Sequence, residues 1–156
     1  MKRTLFVLRH GKSDWSTGRP DFERPLVERG RLGAQRMAAW MQSQGWVPAH
    51  VVSSSATRAT ATAEAACKTL GLPVGELRFD DRAYAASVRE LIDVLADSPK
   101  KARSVMIVGH NPGLESLVEY LANAPVPIPY DGKILPTAAL AVLETGRDWD
   151  DLGEGC

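Results

Sequence analysis

Apolar and polar positions along the chain alternate between two rhythms. Thr4–Leu8 is a short continuous apolar run containing β-branched and aromatic residues, the pattern of a strand buried on both faces. Residues 12–24 are polar and irregular, punctuated by Gly18, Pro20 and Pro25. From Pro25 to about Gln44 the spacing of Leu26, Leu32, Met37, Trp40 and Met41 approximates one helical face, closed by Gly45. Val51-Val52 reads as a second strand, and Ala56–Leu70 as a helix stopped by Gly71 and Pro73. Leu77–Phe79 fits a third, short strand. Ser87–Ala96 fits a helix with Val88, Leu91, Ile92 and Leu95 on one side.

Ser104–Val108 is a clear fourth strand. Beyond it, Asn111 suits a helix cap and Pro112 a first helical position, with the helix running over Leu114–Ala122. Pro125, Pro127 and Pro129 forbid regular structure, and Ala138–Leu143 is a final strand. Trp149 with Asp148, Asp150 and Asp151 reads as a surface tail. Strands alternating with helices predict an α/β class protein, a three-layer α/β/α sandwich with a mostly parallel central sheet and right-handed crossovers. The order of the strands is not legible.

The 156 residues fit a single domain, 1–156, with a proper core. Lysines plus arginines equal aspartates plus glutamates at 19 each, so no global field draws nucleic acid or an anionic membrane, and anion recognition has to be local. Cys67 and Cys156 sit in no metal or redox spacing, which points to a reducing compartment. The residues after Met1-Lys2-Arg3 are too few and too weakly apolar for a signal peptide or membrane span, so the expected location is the cytoplasm.

Chemistry gathers where strands end. The first strand runs into Arg9-His10-Gly11, the second leads to Arg58, the third to Asp80-Asp81, and the fourth to His110. In a parallel sheet these ends share one edge, the edge where open α/β sheets hold ligands. Taken singly, Arg9-His10-Gly11 fits a charged turn as well as a phosphate pocket. Arg58 fits a solvated helical arginine, and His110 a capping or core histidine. Together they fit a device for holding and cleaving a phosphoryl group. Arginine offers phosphate a planar fork of donors that stays charged, and a helix start near Arg58 adds free N–H groups. Gly11 lets the backbone turn sharply and a ligand come close.

This set of segments resembles the histidine phosphatase superfamily, also called phosphoglycerate mutase-like. The resemblance rests on Arg9-His10-Gly11, on Ser53–Ala59 with Thr62-Ala63, on Gly109-His110-Asn111, and on Arg24-Pro25-Leu26 with Glu28-Arg29-Gly30. More narrowly, Leu8–Trp15, Gly109–Leu114 and Pro136–Leu140 resemble the SixA-type phosphohistidine phosphatases. The resemblance spans about Lys2 to Leu152. It implies phosphoryl transfer in two steps without metal or other cofactor. His10 is the nucleophile that becomes phosphohistidine, its second ring nitrogen fixed by a backbone carbonyl; Arg9, Arg58 and His110 hold the equatorial oxygens. Gly11, Ser13, Ser16 and Asn111 complete the expected phosphate and substrate contacts, with Ser16 standing where some relatives carry an asparagine.

Asp81, three residues before Tyr84, matches the spacing of a general acid in relatives that have one, with Asp80 an immediate rival. Solvated loop aspartates are the alternative for both. Lys12 fits a residue that steers phosphate or a solvated loop lysine, and Trp15 a lip of the pocket or a cover for the core.

Connections too short for a large lid insertion imply an open pocket, which suits a phosphate displayed on a protein. The leading expectation is therefore a phosphatase of phosphohistidine on a signalling or carrier protein. A phosphatase of small phosphomonoesters is the alternative, and a non-catalytic phosphate-ester binding module comes third. A metal hydrolase using His10, His110 and Asp81 is weaker again, because Arg9 and Arg58 repel a cation.

Overall fold

The computed structural model describes residues 2–126 and 134–156, with the backbone alone at Val74. Strands β1 (Arg3–Arg9), β2 (His50–Ser54), β3 (Leu77–Asp80), β4 (Ser104–Gly109) and β5 (Leu140–Thr145) form one sheet in the order β3-β2-β4-β1-β5. The pairings of β1 with β4, β2 with β4 and β2 with β3 are parallel; β5 alone runs antiparallel, against β1.

Period-two alternation sends successive residues of each central strand to opposite faces. Leu5 and Val7 of β1 join Val105 and Ile107 of β4 in one core with helices α3 (Val88–Ala96) and α4 (Gly113–Leu121). Phe6 and Leu8 join Val51, Met106 and Val108 in a second core, under helices α1 (Glu28–Ser43) and α2 (Thr57–Leu70). A mostly parallel sheet with helices on both faces was expected, and the three layers are present.

Several boundaries differ from expectation. Helix α1 starts at Glu28 rather than Pro25, because a bridge between Ser13 and Leu26 holds that stretch extended and Val27 N–H donates to Lys12 O. Its buried face is Gly30, Ala34, Ala38 and Met41, not the expected row that included Leu32 and Trp40, both of which are exposed. Small residues win here because α1 packs against the alanine-lined face of α2, where Ala59, Ala63 and Ala66 are fully buried.

Helix α4 begins at Gly113, with Pro112 at the cap position; Asn111 does not cap it, since its amide nitrogen donates to Leu135 O. Strand β5 starts two residues later than expected because Pro136–Ala139 forms a turn in which Ala139 N–H donates to Pro136 O. Pro127 and Pro129 lie outside the described residues.

Trp149 is not part of a surface tail: it is 2% exposed in the core and its indole N–H donates to Ala102 O at 2.8 Å. By contrast Ser87 opens α3 as read, with a capping box closed by Glu90, and Gly71 ends α2 in the left-handed region at φ 73°.

Candidate active site

Strand register makes the site. Parallel pairing aligns Leu8 with Val108 and Arg9 with Gly109, so the next residue on each chain is a histidine. His10 N–H donates to Gly109 O, and the ring centroids of His10 and His110 lie 5.1 Å apart. On the neighbouring strand Ser53 pairs with Val108, and two residues beyond β2 the first turn of α2 presents Arg58. A pocket of about 540 Å³ is lined by Arg9, His10, Arg58, His110 and Asn111, and by Lys12, Ser13, Trp15, Asp21 and Arg24 from the segment after β1. Pro136 and Thr137 close its other side.

His10 has a defined tautomer. Its Nδ1 lies 2.7 Å from Gly11 O, and a carbonyl oxygen only accepts, so Nδ1 carries the proton. Nε2 keeps its lone pair, and Arg58 Nε approaches it at 3.4 Å. Burial lowers the pKa of His10 to about 4, opposed by the Gly11 hydrogen bond and helped by Arg58, Arg9 and Arg24.

His110 is lowered to about 3, first by burial and then by His10 and Arg58. Both rings are neutral near pH 7. His110 Nε2 meets Ser54 Oγ at 2.8 Å, while its buried Nδ1 has no partner among the described residues. Ser54 Oγ already accepts from Ala56 N–H, which leaves its proton free for His110 Nε2.

The backbone around His10 is pinned from behind. Gly11 N–H donates to Thr62 Oγ1 at 3.0 Å, and Thr62 in turn donates to Arg58 O at 2.8 Å, tying the β1 loop to α2. A Cβ on Gly11 would overlap Gly30 O, and one on Gly30 would overlap Lys12 O, so two backbones meet where only hydrogen fits.

Asp21 joins the remaining groups. Arg58 donates to its backbone oxygen at 2.6 Å and to Oδ2 at 3.0 Å; Arg24 donates to Oδ1 at 2.9 Å and also to Ser13 Oγ. The Tyr84 hydroxyl donates to Oδ2 at 2.5 Å. The Tyr84 hydrogen bond, then those of Arg24 and Arg58, hold the Asp21 carboxyl far below the usual carboxylate range. Tyr84 also sets its ring edge-on to His110 and to Phe22. Arg9 donates to Leu135 O at 3.3 Å, and its Nε is buried without a partner among the described residues.

Of the residues singled out in the sequence, Arg9, His10, Ser13, Arg58, His110 and Asn111 line this pocket; Gly11 does not, its N–H being taken by Thr62 Oγ1. Ser16 does not line the pocket: its hydroxyl and N–H both bond to Asp14 Oδ1, a local turn. Asp81 and Asp80 do not line it either. The Asp81 side chain is exposed and has no hydrogen-bond partner among the described residues, and Asp80 is tied to Arg78 and Arg82. The carboxylate that reaches the pocket is Asp21, unmarked in the sequence because residues 12–24 lack periodicity. Its one local signal is the spacing to Arg24, three residues on. Ser54, Thr62 and Tyr84 were also missed as individual residues.

Two arginines and two neutral imidazoles at the carboxyl edge of a parallel sheet are groups suited to holding and transferring a phosphoryl group. The model of the histidine phosphatase superfamily (branch 1) matches residues 5–82. An uncharacterized Mycobacterium tuberculosis protein, Rv1276c, is 30% identical over 154 residues, covering 96% of this chain and 94% of its own. The chain belongs to the histidine phosphatase superfamily, and phosphatase activity goes with it.

Among solved structures, SixA from Nakamurella multipartitia superposes with a TM-score of 0.78 at 28% identity, over 99% of this chain and 92% of that one. The protein histidine phosphatase SixA complexed with tungstate gives 0.77 at 24% identity, over 89% and 86%, a likeness of fold. Among the described residues no helix is long and apolar enough to cross a membrane.

Proposed function

We propose that the chain dephosphorylates phosphohistidine on a partner protein, through a phosphohistidine intermediate on His10. The reading is carried by His10 itself, buried, neutral, proton-bearing on Nδ1 and bare on Nε2, within a pocket of guanidinium groups. In the first step the Nε2 lone pair bonds to phosphorus in line as the bond from phosphorus to the substrate's ring nitrogen breaks. Arg9, Arg58 and His110 take the equatorial oxygens, Arg58 from the first turn of α2. In the second step water attacks phosphorus, the bond to Nε2 breaks, and orthophosphate leaves with the water's protons. The Gly11 carbonyl holds Nδ1–H throughout, so the ring departs neutral.

The pocket's proton inventory favours an imidazole leaving group. Among the described residues its lining holds one carboxyl, Asp21, and that group stays ionised near neutral pH. An alkoxide needs a proton donor to depart. An imidazole whose distal nitrogen is protonated departs as a neutral ring and needs none. Among the described residues no large lid insertion covers the pocket, which fits a phosphate presented by a protein.

The test uses a phosphohistidine-bearing protein domain and a set of alkyl phosphomonoesters. Acid-labile label is expected on His10, absent in His10→Ala, with a higher kcat/KM for the phosphohistidine protein. A preference for the alkyl esters would replace this reading with small-metabolite phosphatase activity. Phosphate binding without any covalent label would leave a binding module.

A further inference from the structure

Trp15 is the most exposed large apolar side chain among the described residues, at 79%, yet it lines the pocket that holds His10. It has no place in either core cluster. One face of its indole is taken: the Arg24 guanidinium carbon lies 3.6 Å from the ring centroid. Arg24 is itself buried and held by Ser13 Oγ and Asp21 Oδ1, so it gives the indole a fixed surface to rest on. With one face covered and the residue still this exposed, the opposite face is open to solvent.

We infer that Trp15 is a specificity-determining platform on which the planar leaving group of the substrate stacks. The inference rests on the phosphatase reading of His10 and deepens it. In-line attack by His10, 6% exposed at the pocket floor, sends the leaving group outward, toward the rim where Trp15 lies. The pocket's 540 Å³ is several times what a phosphoryl group needs, and leaves room for a ring beside the indole. Resting on a fixed guanidinium favours one orientation of the indole and so lowers the ordering cost of stacking a second ring on it. The chemical class selected is a phosphoryl group on a flat ring, imidazole or aryl, over one on a flexible alkyl chain.

The experiment compares kcat/KM of wild type, Trp15→Ala and Trp15→Phe on a phosphohistidine peptide, p-nitrophenyl phosphate and glycerol phosphate. Aromatic pairs of this kind change affinity by about two- to tenfold. Trp15→Ala should lower the ratio of ring to alkyl kcat/KM by that factor, chiefly through KM, and Trp15→Phe should restore most of it. An unchanged ratio, including one where all three substrates fall together because Arg24 is disturbed, overturns the platform. If wild type ignores the phosphohistidine peptide while p-nitrophenyl phosphate stays sensitive to Trp15, the platform stands and the phosphohistidine reading falls. If the peptide is cleaved equally by wild type and Trp15→Ala, the platform falls and the reading survives.

Discussion

Arg58 Nε points its hydrogen at His10 Nε2 from 3.4 Å, so a permanent cation faces the lone pair that the proposed reaction uses. In the resting protein this contact holds the ring in its reactive orientation and opposes its protonation. On the mechanism proposed above, an arriving phosphoryl group gives the same guanidinium an anion to bind and releases the lone pair toward phosphorus.

This juxtaposition has a consequence for stability. An unfolded chain protonates its histidines near pH 6.5, whereas folded His10 and His110 take a proton only near 4 and 3. Between those values the unfolded state binds more protons, so stability rises with pH. Their contribution is complete above pH 6.5 and declines as pH falls toward 4. At pH 5 the loss is on the order of 2 kcal/mol for each ring. NMR titration of the two rings should show no protonation between pH 8 and 5.5, with the urea midpoint falling from pH 7 to pH 5. A ring midpoint near 6.5 for either residue contradicts the burial and the charge environment described above.

The halves of the site differ in how far the sequence revealed them, and the difference is physical. Arg9, His10 and His110 follow buried strands, whose apolar runs are distinctive and whose parallel register forces their carboxyl ends together. Arg58 follows from the next crossover. Asp21 and Arg24 lie in a segment held by tertiary hydrogen bonds to Arg58 and Tyr84, which no local period encodes. Asp81 was misplaced because spacing along a chain does not fix direction: one residue earlier, Asp80 turns into a cluster with Arg78 and Arg82. The onset of α1 failed similarly. Proline at position 25 reads as a helix start, but the bridge to Ser13 outcompetes it.

Asp21 should matter to a reaction it does not perform. Its carboxylate and backbone oxygen hold Arg58 through two contacts and Arg24 through one. Asp21→Ala removes the carboxylate contact of each guanidinium, leaving Arg58 the backbone oxygen of residue 21 and Arg24 the Ser13 hydroxyl, and it leaves Tyr84 without its acceptor. Misplacement of a positioning group by about 1 Å can cost up to a hundredfold, and kcat/KM in Asp21→Ala should fall by roughly tenfold or more. Asp21→Asn keeps an acceptor for Tyr84 and should recover part of that loss. Steady-state kinetics on one substrate decides the matter. Asp21→Ala with wild-type kcat/KM would show that the arginines hold themselves in place.

The contact of Gly11 with Gly30 binds the nucleophile loop to the start of α1 through backbone alone. A methyl at residue 30 meets Lys12 O, and neither partner is the free end of a flexible side chain. Relief therefore requires the loop carrying His10 to move away from α1, straining the bridge of Ser13 to Leu26 and the bond from Val27 N–H to Lys12 O. Overpacking of this kind costs about 2 kcal/mol or more, a fall in Tm of roughly 4–8 °C for a chain of this size. Activity measured well below Tm should fall as well, because the displaced segment includes the His10–Gly11 hydrogen bond that fixes the tautomer. Gly33 on the same helix is the control: a methyl there meets only the Ala138 Cβ at 3.5 Å, an ordinary contact. Gly33→Ala should keep both Tm and kcat, and equal losses in the two variants would mean that helix disruption, rather than the closure of the loop onto α1, accounts for the effect.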